Sequence, residues 1–86
     1  MASISLGASS AAVGSFVYVA GSGFPGGHTE VVYLNGQFVG VLPTNVNGAF
    51  AGNLKVPSVP AGAARPVVAK DNTDITVSAT ASLTVA

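Results

Sequence analysis

Few side chains in this sequence could take part in catalysis. His28 is the only histidine among the 86 residues, and it lies in the glycine-rich stretch GSGFPGGHTE. A hydrolytic triad of serine, histidine and acid also needs an oriented carboxylate and an oxyanion hole. No motif in the sequence supplies those parts. We therefore expect a solvated, non-catalytic His28 and a protein that is not an enzyme.

Metal and cofactor sites are equally poorly supported. Asp71 and Asp74 lie close together in KDNTD, but Ca²⁺ takes about six to eight oxygen ligands, and two carboxylates supply too few. The stretch is better interpreted as an Asx-type turn between strands. The glycines of GSGFPGG lack the following helix that a phosphate-binding loop requires. We expect neither a metal nor a cofactor.

Charged residues are scarce. Asp, Glu, Lys and Arg make up 7% of the chain and the formal net charge is zero, whereas ordinary domains contain about 25% charged residues. Nucleic-acid binding requires a basic stripe, which three scattered cations, Lys55, Arg65 and Lys70, cannot form. No apolar run approaches the roughly 20 residues needed to cross a bilayer. The sequence predicts neither nucleic acid nor membrane as a partner, and the absence of cysteine excludes disulfides.

Short alternating segments between turn residues are typical of a small all-β protein. The segment ITVSATASLTV, residues 75–85, alternates apolar and hydroxyl side chains without a slip, which predicts a strand with one buried and one wet face. Asn35-Gly36 predicts a hairpin that pairs Thr29–Leu34 with Gln37–Leu42. The seven strands that we expect begin at Ser3, Phe16, Thr29, Gln37, Ala49, Arg65 and Ile75.

The order of these strands and turns resembles the bacterial immunoglobulin-like repeat, which occurs in tandem in cell-surface proteins and singly in phage structural proteins. The resemblance covers nearly the whole chain. Its most specific parts are GSGF at 21–24, the Asn35-Gly36 hairpin with Val39-Gly40 after it, and NGAF at 47–50 with Val56-Pro57 six residues on. It implies one domain over residues 1–86, an immunoglobulin-like β-sandwich of about seven antiparallel strands.

The sequence departs from the pattern of this family in its alanine-rich first loop, in its shortage of charge and at Glu30. The family usually has an apolar residue or Thr at the position of Glu30, in phase with Val32 and Leu34. A buried, unpaired carboxylate is costly, so we expect Glu30 at the wet end of its strand. The alternative is that Glu30 is a buried partner for Arg65.

Outward-facing aromatic side chains are the candidate site. If Val32 and Leu34 point inward, Val31 and Tyr33 point outward. The same alternation predicts that Phe16, Tyr18 and Phe38 also point outward. On one sheet, Phe16, Tyr18, Val31 and Tyr33 would form an apolar patch of the kind that marks a protein interface. Alternatively, Phe16 folds over a sheet edge and Phe38 packs beside its hairpin.

We expect a non-enzymatic structural module that docks on a larger assembly, most concretely a phage capsid decoration protein on the virion surface. Its partner would be the major capsid protein or copies of itself. An initiating Met1 and the lack of an export signal favour this interpretation. The alternative is an adhesive or spacer repeat excised from a secreted bacterial surface protein, with Met1 as a cloning residue and an extracellular location. A carbohydrate-binding module would need an aromatic platform, and the chain has no Trp.

Overall fold

The computed structural model describes residues 2–86. Met1, which is a native start in the decoration-protein interpretation and a cloning residue in the excised-repeat interpretation, lies outside the described residues. Throughout the described range the regular structure is β, without a helix, and therefore without one that could span a membrane. The strands are β1 (Ser3–Leu6), β2 (Ser10–Ala11), β3 (Phe16–Ser22), β4 (Thr29–Leu34), β5 (Gln37–Pro43), β6 (Phe50–Lys55), β7 (Gly62–Asp71) and β8 (Ser78–Val85).

The strands form two sheets, one with the order β1-β3-β6 and the other with the order β2-β8-β7-β4-β5. The predicted all-β class and two-sheet arrangement are confirmed. Residues 2–86 contain eight strands rather than seven, because the alanine-rich first loop contributes the two-residue β2. This short strand pairs with β8 in parallel, whereas the other described pairings are antiparallel.

The core lies between the sheets and is built from the alternate residues of each strand. In β8, for example, Leu83 and Val85 are buried while the hydroxyl residues between and beside them are exposed. The predicted faces of this strand are therefore correct, but its predicted start is not. Ile75 is exposed, because Asp74 accepts hydrogen bonds from the Thr76 backbone and hydroxyl and holds the segment in a turn until Ser78.

The β4–β5 hairpin turns at Asn35-Gly36, as predicted. Both residues have positive φ, 53° and 82°, which is the requirement of a type I′ turn. A bulge follows, since Val32 pairs with Gly40 whereas Tyr33 pairs with Phe38. Val39 is the extra residue and packs partly against the core. Beyond it the strand resumes with Val41 exposed, so Phe38 and Val41 are both exposed although they are three positions apart, an odd spacing that would place them on opposite faces of a regular strand.

Three loops meet at one end of the sandwich, and we call them the loop end: residues 23–28, 44–49 and 72–77. Backbone hydrogen bonds join them, from Gly27 N–H to the Asn45 carbonyl and from Asn72 N–H to the Thr29 carbonyl. Beneath them the rings of Phe24 and Phe50 pack with centroids 5.3 Å apart. The Phe50 ring lies where a Gly21 side chain would be, so a larger residue at position 21 would displace the ring.

Candidate functional site

The four predicted interface residues do not form one patch. Phe16 and Tyr18 lie on β3 of the three-stranded sheet, whereas Val31 and Tyr33 lie on β4 of the five-stranded sheet. All four side chains alternate with buried residues, so their predicted outward orientation is correct. The prediction of a shared sheet is wrong, because the chain crosses from one sheet to the other between β3 and β4. The two pairs therefore lie on opposite sides of the sandwich.

The outer side of the five-stranded sheet carries two rows of side chains in register. One row comprises Val41, Val31, Lys70 and Ser78, and the next comprises Phe38, Tyr33, Val68 and Thr80. Both rows are apolar on β4 and β5 and end in hydroxyl groups on β8. We call Val31, Tyr33, Phe38, Val41 and Val68 the apolar face. Among residues 2–86, Lys70 is the only charged residue in these rows.

Tyr33 is the centre of the apolar face. The Phe38 ring meets it edge-on, with centroids 6.3 Å apart and planes at 78°. On the other side, Lys70 Nζ lies 5.8 Å from the centroid of the Tyr33 ring. Edge-to-face rings and a cation over a ring are both favourable geometries. Tyr33 is therefore held in place by its neighbours, while Phe38 beside it remains 58% exposed.

The outer side of the three-stranded sheet is more polar. Phe16 is opposite Lys55 and Tyr18 is opposite Asn53 across the β3–β6 pair. The base of the Tyr18 side chain packs over Gly7, where a Cβ would lie 2.9 Å from the Tyr18 Cβ. The two rings thus have polar cross-strand partners, and this surface lacks the continuous row of apolar neighbours that surrounds Tyr33.

A cluster of ionisable side chains lies inside the loop end. Glu30 and Asp71 are directly opposite each other on β4 and β7, and both are 0% exposed. The expectation of a wet Glu30 is wrong, because β4 has neighbours on both sides and the residue turns toward the core. The alternative partner is also wrong, since the Arg65 guanidinium donates to the Pro60 and Ala61 carbonyls.

The two carboxyl groups differ in their hydrogen bonds. Asp71 Oδ2 accepts the backbone N–H groups of Thr73 and Asp74, at 3.2 and 2.8 Å. This is the Asx-type turn predicted for DNTD, which is confirmed. Neither Glu30 oxygen accepts a hydrogen bond from any group in the described part of the chain. The neighbour available to Glu30 is the Asp71 carboxylate, to which it can donate only when it is protonated.

These surroundings separate the pKa values of the two acids. Burial raises the pKa of Glu30 from its ordinary 4.5 to about 8, and hydrogen bonding and repulsion from Asp71 act in the same direction. The hydrogen bond from Glu30 lowers the pKa of Asp71, and His28 and the Asp74 N–H contribute further lowering against the effect of burial. At neutral pH, Glu30 is therefore protonated and Asp71 is ionised.

His28 is part of this cluster and is only about one-third exposed, at 34%. Its Nδ1 atom lies 3.1 Å from Asp71 Oδ2, and because an ionised carboxylate only accepts, Nδ1 donates. The expectation of a solvated His28 is therefore wrong, because the ring is partly buried and is hydrogen-bonded to Asp71. A histidine oriented by an acid is two-thirds of a hydrolytic triad, but no serine hydroxyl in residues 2–86 bonds to this ring.

No group of three or more His, Asp or Glu side chains in the described range is arranged to hold a metal ion.

The burial of two acids also changes the surface charge. The chain has three cations and three acids, and a protonated Glu30 leaves three positive against two negative charges. Asp74 is the acid that remains exposed within residues 2–86. The surface is therefore weakly basic, although the formal net charge is zero.

The chain matches no protein-family model, and no curated protein matches its sequence. The basis for a function is therefore the geometry of the apolar face and of the buried carboxyl cluster.

Proposed function

We propose that this protein is a non-enzymatic interaction module that docks on a protein assembly through its apolar face. The observation that carries the proposal is the continuity of that face. The five apolar side chains of this face, with Tyr33 at their centre, lie in register on three neighbouring strands, and Lys70 lies beside them. Phe38 and Val41 are exposed, and Val31, Tyr33 and Val68 are half-buried. Apolar side chains that cluster at the surface mark protein interaction sites, and tyrosine is enriched in them.

An immunoglobulin-like fold is part of the proposal. Immunoglobulin domains place strands A, B, E and D in one sheet and C, F and G in the other, and variable-type domains extend the second sheet beyond C. The order β1-β3-β6 fits A, B and E, and the order β8-β7-β4-β5 fits G, F, C and one additional strand. The crossing from β3 to β4 between the sheets fits the step from B to C.

The partner that fits this surface is a protein lattice with an apolar patch and a neutral or acidic border, since Lys70 flanks the apolar face. The most concrete candidate is the capsid of a phage, with this domain as a decoration protein on the virion. Decoration proteins stand close together, and a net charge near zero limits repulsion between copies. GSGF, NGAF and the Asn35-Gly36 hairpin resemble the bacterial immunoglobulin-like repeat, and the occurrence of single copies of that repeat in phage structural proteins is compatible with the same partner.

Co-sedimentation with undecorated capsids, assembled from the major capsid protein encoded in the same genome, tests the proposal. The chain has two tyrosines, and they lie on opposite sides of the sandwich, so they provide a matched pair of substitutions. We expect Tyr33→Lys to weaken binding by about tenfold or more, because it places a charge in a surface that must lose water. Tyr18→Lys should bind as the unchanged chain does.

Thr80→Lys, which the sequence pattern indicates as a silent change, is a poor control because Thr80 lies in the same row as Tyr33. Loss of binding by Tyr18→Lys alone would move the docking surface to the three-stranded sheet. A dimer of the unchanged chain in sedimentation velocity, disrupted by Tyr33→Lys, would make a second copy the occupant. A monomer that binds no capsid would favour the spacer-repeat function.

A further inference from the structure

Glu30 and Asp71 form an unusual pair because two acids oppose each other in the interior. They are cross-strand partners on adjacent strands, both fully enclosed. Like charges directly opposite in a sheet destabilise it, and two buried carboxylates at one site cannot readily both ionise. The absence of any donor to Glu30 within the described residues removes the other means of stabilising its charge.

The charged groups around the pair are few. On β5 the partner of Glu30 is Leu42, which is uncharged. From the loops, His28 bonds to Asp71, and the Asp74 carboxylate is turned away to Thr76. Lys70, next to Asp71 on β7, points to the opposite side of the sheet, against Tyr33.

The other two cations lie elsewhere. Arg65 bonds to carbonyl groups at the far end of β7, and Lys55 is exposed at the end of β6. No cation in residues 2–86 therefore compensates a negative Glu30.

Asp71 is also the residue that joins the loops. Its carboxylate binds His28 of loop 23–28 and two backbone N–H groups of loop 72–77. The backbone N–H of His28 in turn donates to the hydroxyl of Thr44, in loop 44–49, at 2.8 Å, and that hydroxyl donates to the Pro25 carbonyl. A displacement of the Asp71 carboxylate would therefore be transmitted to all three loops of the loop end.

We propose that Glu30 and Asp71 share one proton and that this proton is a pH-sensitive latch on the loop end. With the proton present, Glu30 donates to Asp71 and the loop contacts are made. Without it, two negative charges oppose each other, and because β4 and β7 are fixed by their ladders, Asp71 and the loop contacts of its side chain yield. Since the pKa of Glu30 is raised to about 8, the latch releases in mildly alkaline solution and is closed in acid.

A carboxyl NMR titration tests the latch directly. Glu30 is the only glutamate of the chain, so labelling glutamate with ¹³C at Cδ gives a single signal that needs no assignment by mutagenesis. We expect that signal to titrate with a midpoint near pH 8. The amide resonances of Thr73 and Asp74 should shift with the same midpoint, while that of Gly36, in the hairpin at the opposite end of β4, should not.

Glu30→Gln is the matched variant, because its amide can still donate to Asp71 but cannot ionise. In it the alkaline shift of the Thr73 and Asp74 amides should disappear. The latch is excluded if the glutamate signal of the unchanged chain titrates near its ordinary 4.5, a result that does not depend on whether the variant folds. It is equally excluded if the same amide shifts persist in Glu30→Gln, since a group other than Glu30 would then be their origin.

Discussion

Glu30 lies opposite Asp71 across the β4–β7 pair, with both carboxyl groups sealed from solvent. Two of the three acids in the chain are thus inside the protein. The arrangement is tolerable because burial makes one of them neutral, and the neutral acid then becomes a donor to the other. The protonation of this carboxyl pair therefore makes the loop end sensitive to pH, although most of the buried side chains are apolar.

Stability should increase as the solution is acidified from about pH 8 to pH 4.5. Glu30 holds its proton up to about pH 8 when folded but loses it near 4.5 when unfolded, so the folded state binds more protons between these values. The free energy of unfolding therefore falls as pH rises across this window, by at most about 1.4 kcal/mol per pH unit.

Asp71 acts in the opposite sense at lower pH. Its pKa is lowered from 3.8 to about 2, so its contribution is present above 3.8 and is lost as pH falls toward 2. Urea unfolding measured between about pH 3 and 9 should place the maximum near pH 4 to 4.5. A profile that is flat, or that rises from pH 5 to 8, would contradict the assignment of the Glu30 proton.

Thr44→Val should destabilise the loop end. The Thr44 hydroxyl is buried and accepts the His28 backbone N–H at 2.8 Å. Valine has nearly the same shape but leaves that donor unpaired, at a cost of about 1–3 kcal/mol. Thr44→Ser keeps the hydroxyl and serves as the control, with a loss of about 1 kcal/mol or less. Equal losses for the two variants in urea unfolding would mean that the hydrogen bond contributes nothing.

Phe50→Ala should remove a large part of the stability. Phe50 is 5% exposed and packs on Phe24, and truncation of a buried phenylalanine costs about 3–5 kcal/mol. Phe16→Ala is the matched control, because Phe16 is 67% exposed and surface changes usually stay within about 0.5 kcal/mol. If the two variants unfold at the same denaturant concentration, Phe50 is not part of the buried core.

Gly48→Ala should cost more than Gly27→Ala. Both glycines have positive φ, 78° and 71°, and an alanine in that region costs about 1–2 kcal/mol. A Cβ at Gly48 would also overlap the Phe24 carbonyl oxygen, whereas nothing lies within 4 Å of a Cβ at Gly27. Overpacking adds about 1–3 kcal/mol, which thermal or urea unfolding resolves. Similar losses at the two positions would show that the Phe24 carbonyl moves aside freely.

Local patterns in the sequence predicted the strands and the faces of their residues well. The alternation in ITVSATASLTV and the Asn35-Gly36 turn depend on neighbours within a few residues, so they can be recognised without the fold. Which sheet a strand joins depends on distant pairings such as β3 with β6 and β4 with β7. For that reason Tyr18 and Tyr33 were predicted to point outward correctly but were assigned wrongly to one surface.

The apolar face and the carboxyl pair both depend on features that local sequence patterns do not predict. Val41 lies on the exposed surface beside Phe38 because of a bulge that no residue type in β5 predicts. Glu30 is in phase with Val32 and Leu34, so its inward orientation was readable. The prediction failed because it treated the carboxylate as ionised and unpaired, whereas Asp71, distant in sequence, provides an acceptor for its proton.

The buried Glu30 also separates the electrophoretic behaviour of the folded chain from that of the unfolded chain. Folding at neutral pH takes up a proton, so the isoelectric point of about 6.5 that the sequence gives belongs to the unfolded state. The folded protein, with Glu30 uncharged, focuses at a higher pH. Isoelectric focusing across a urea gradient would therefore record unfolding as a step toward the acidic end of the gel.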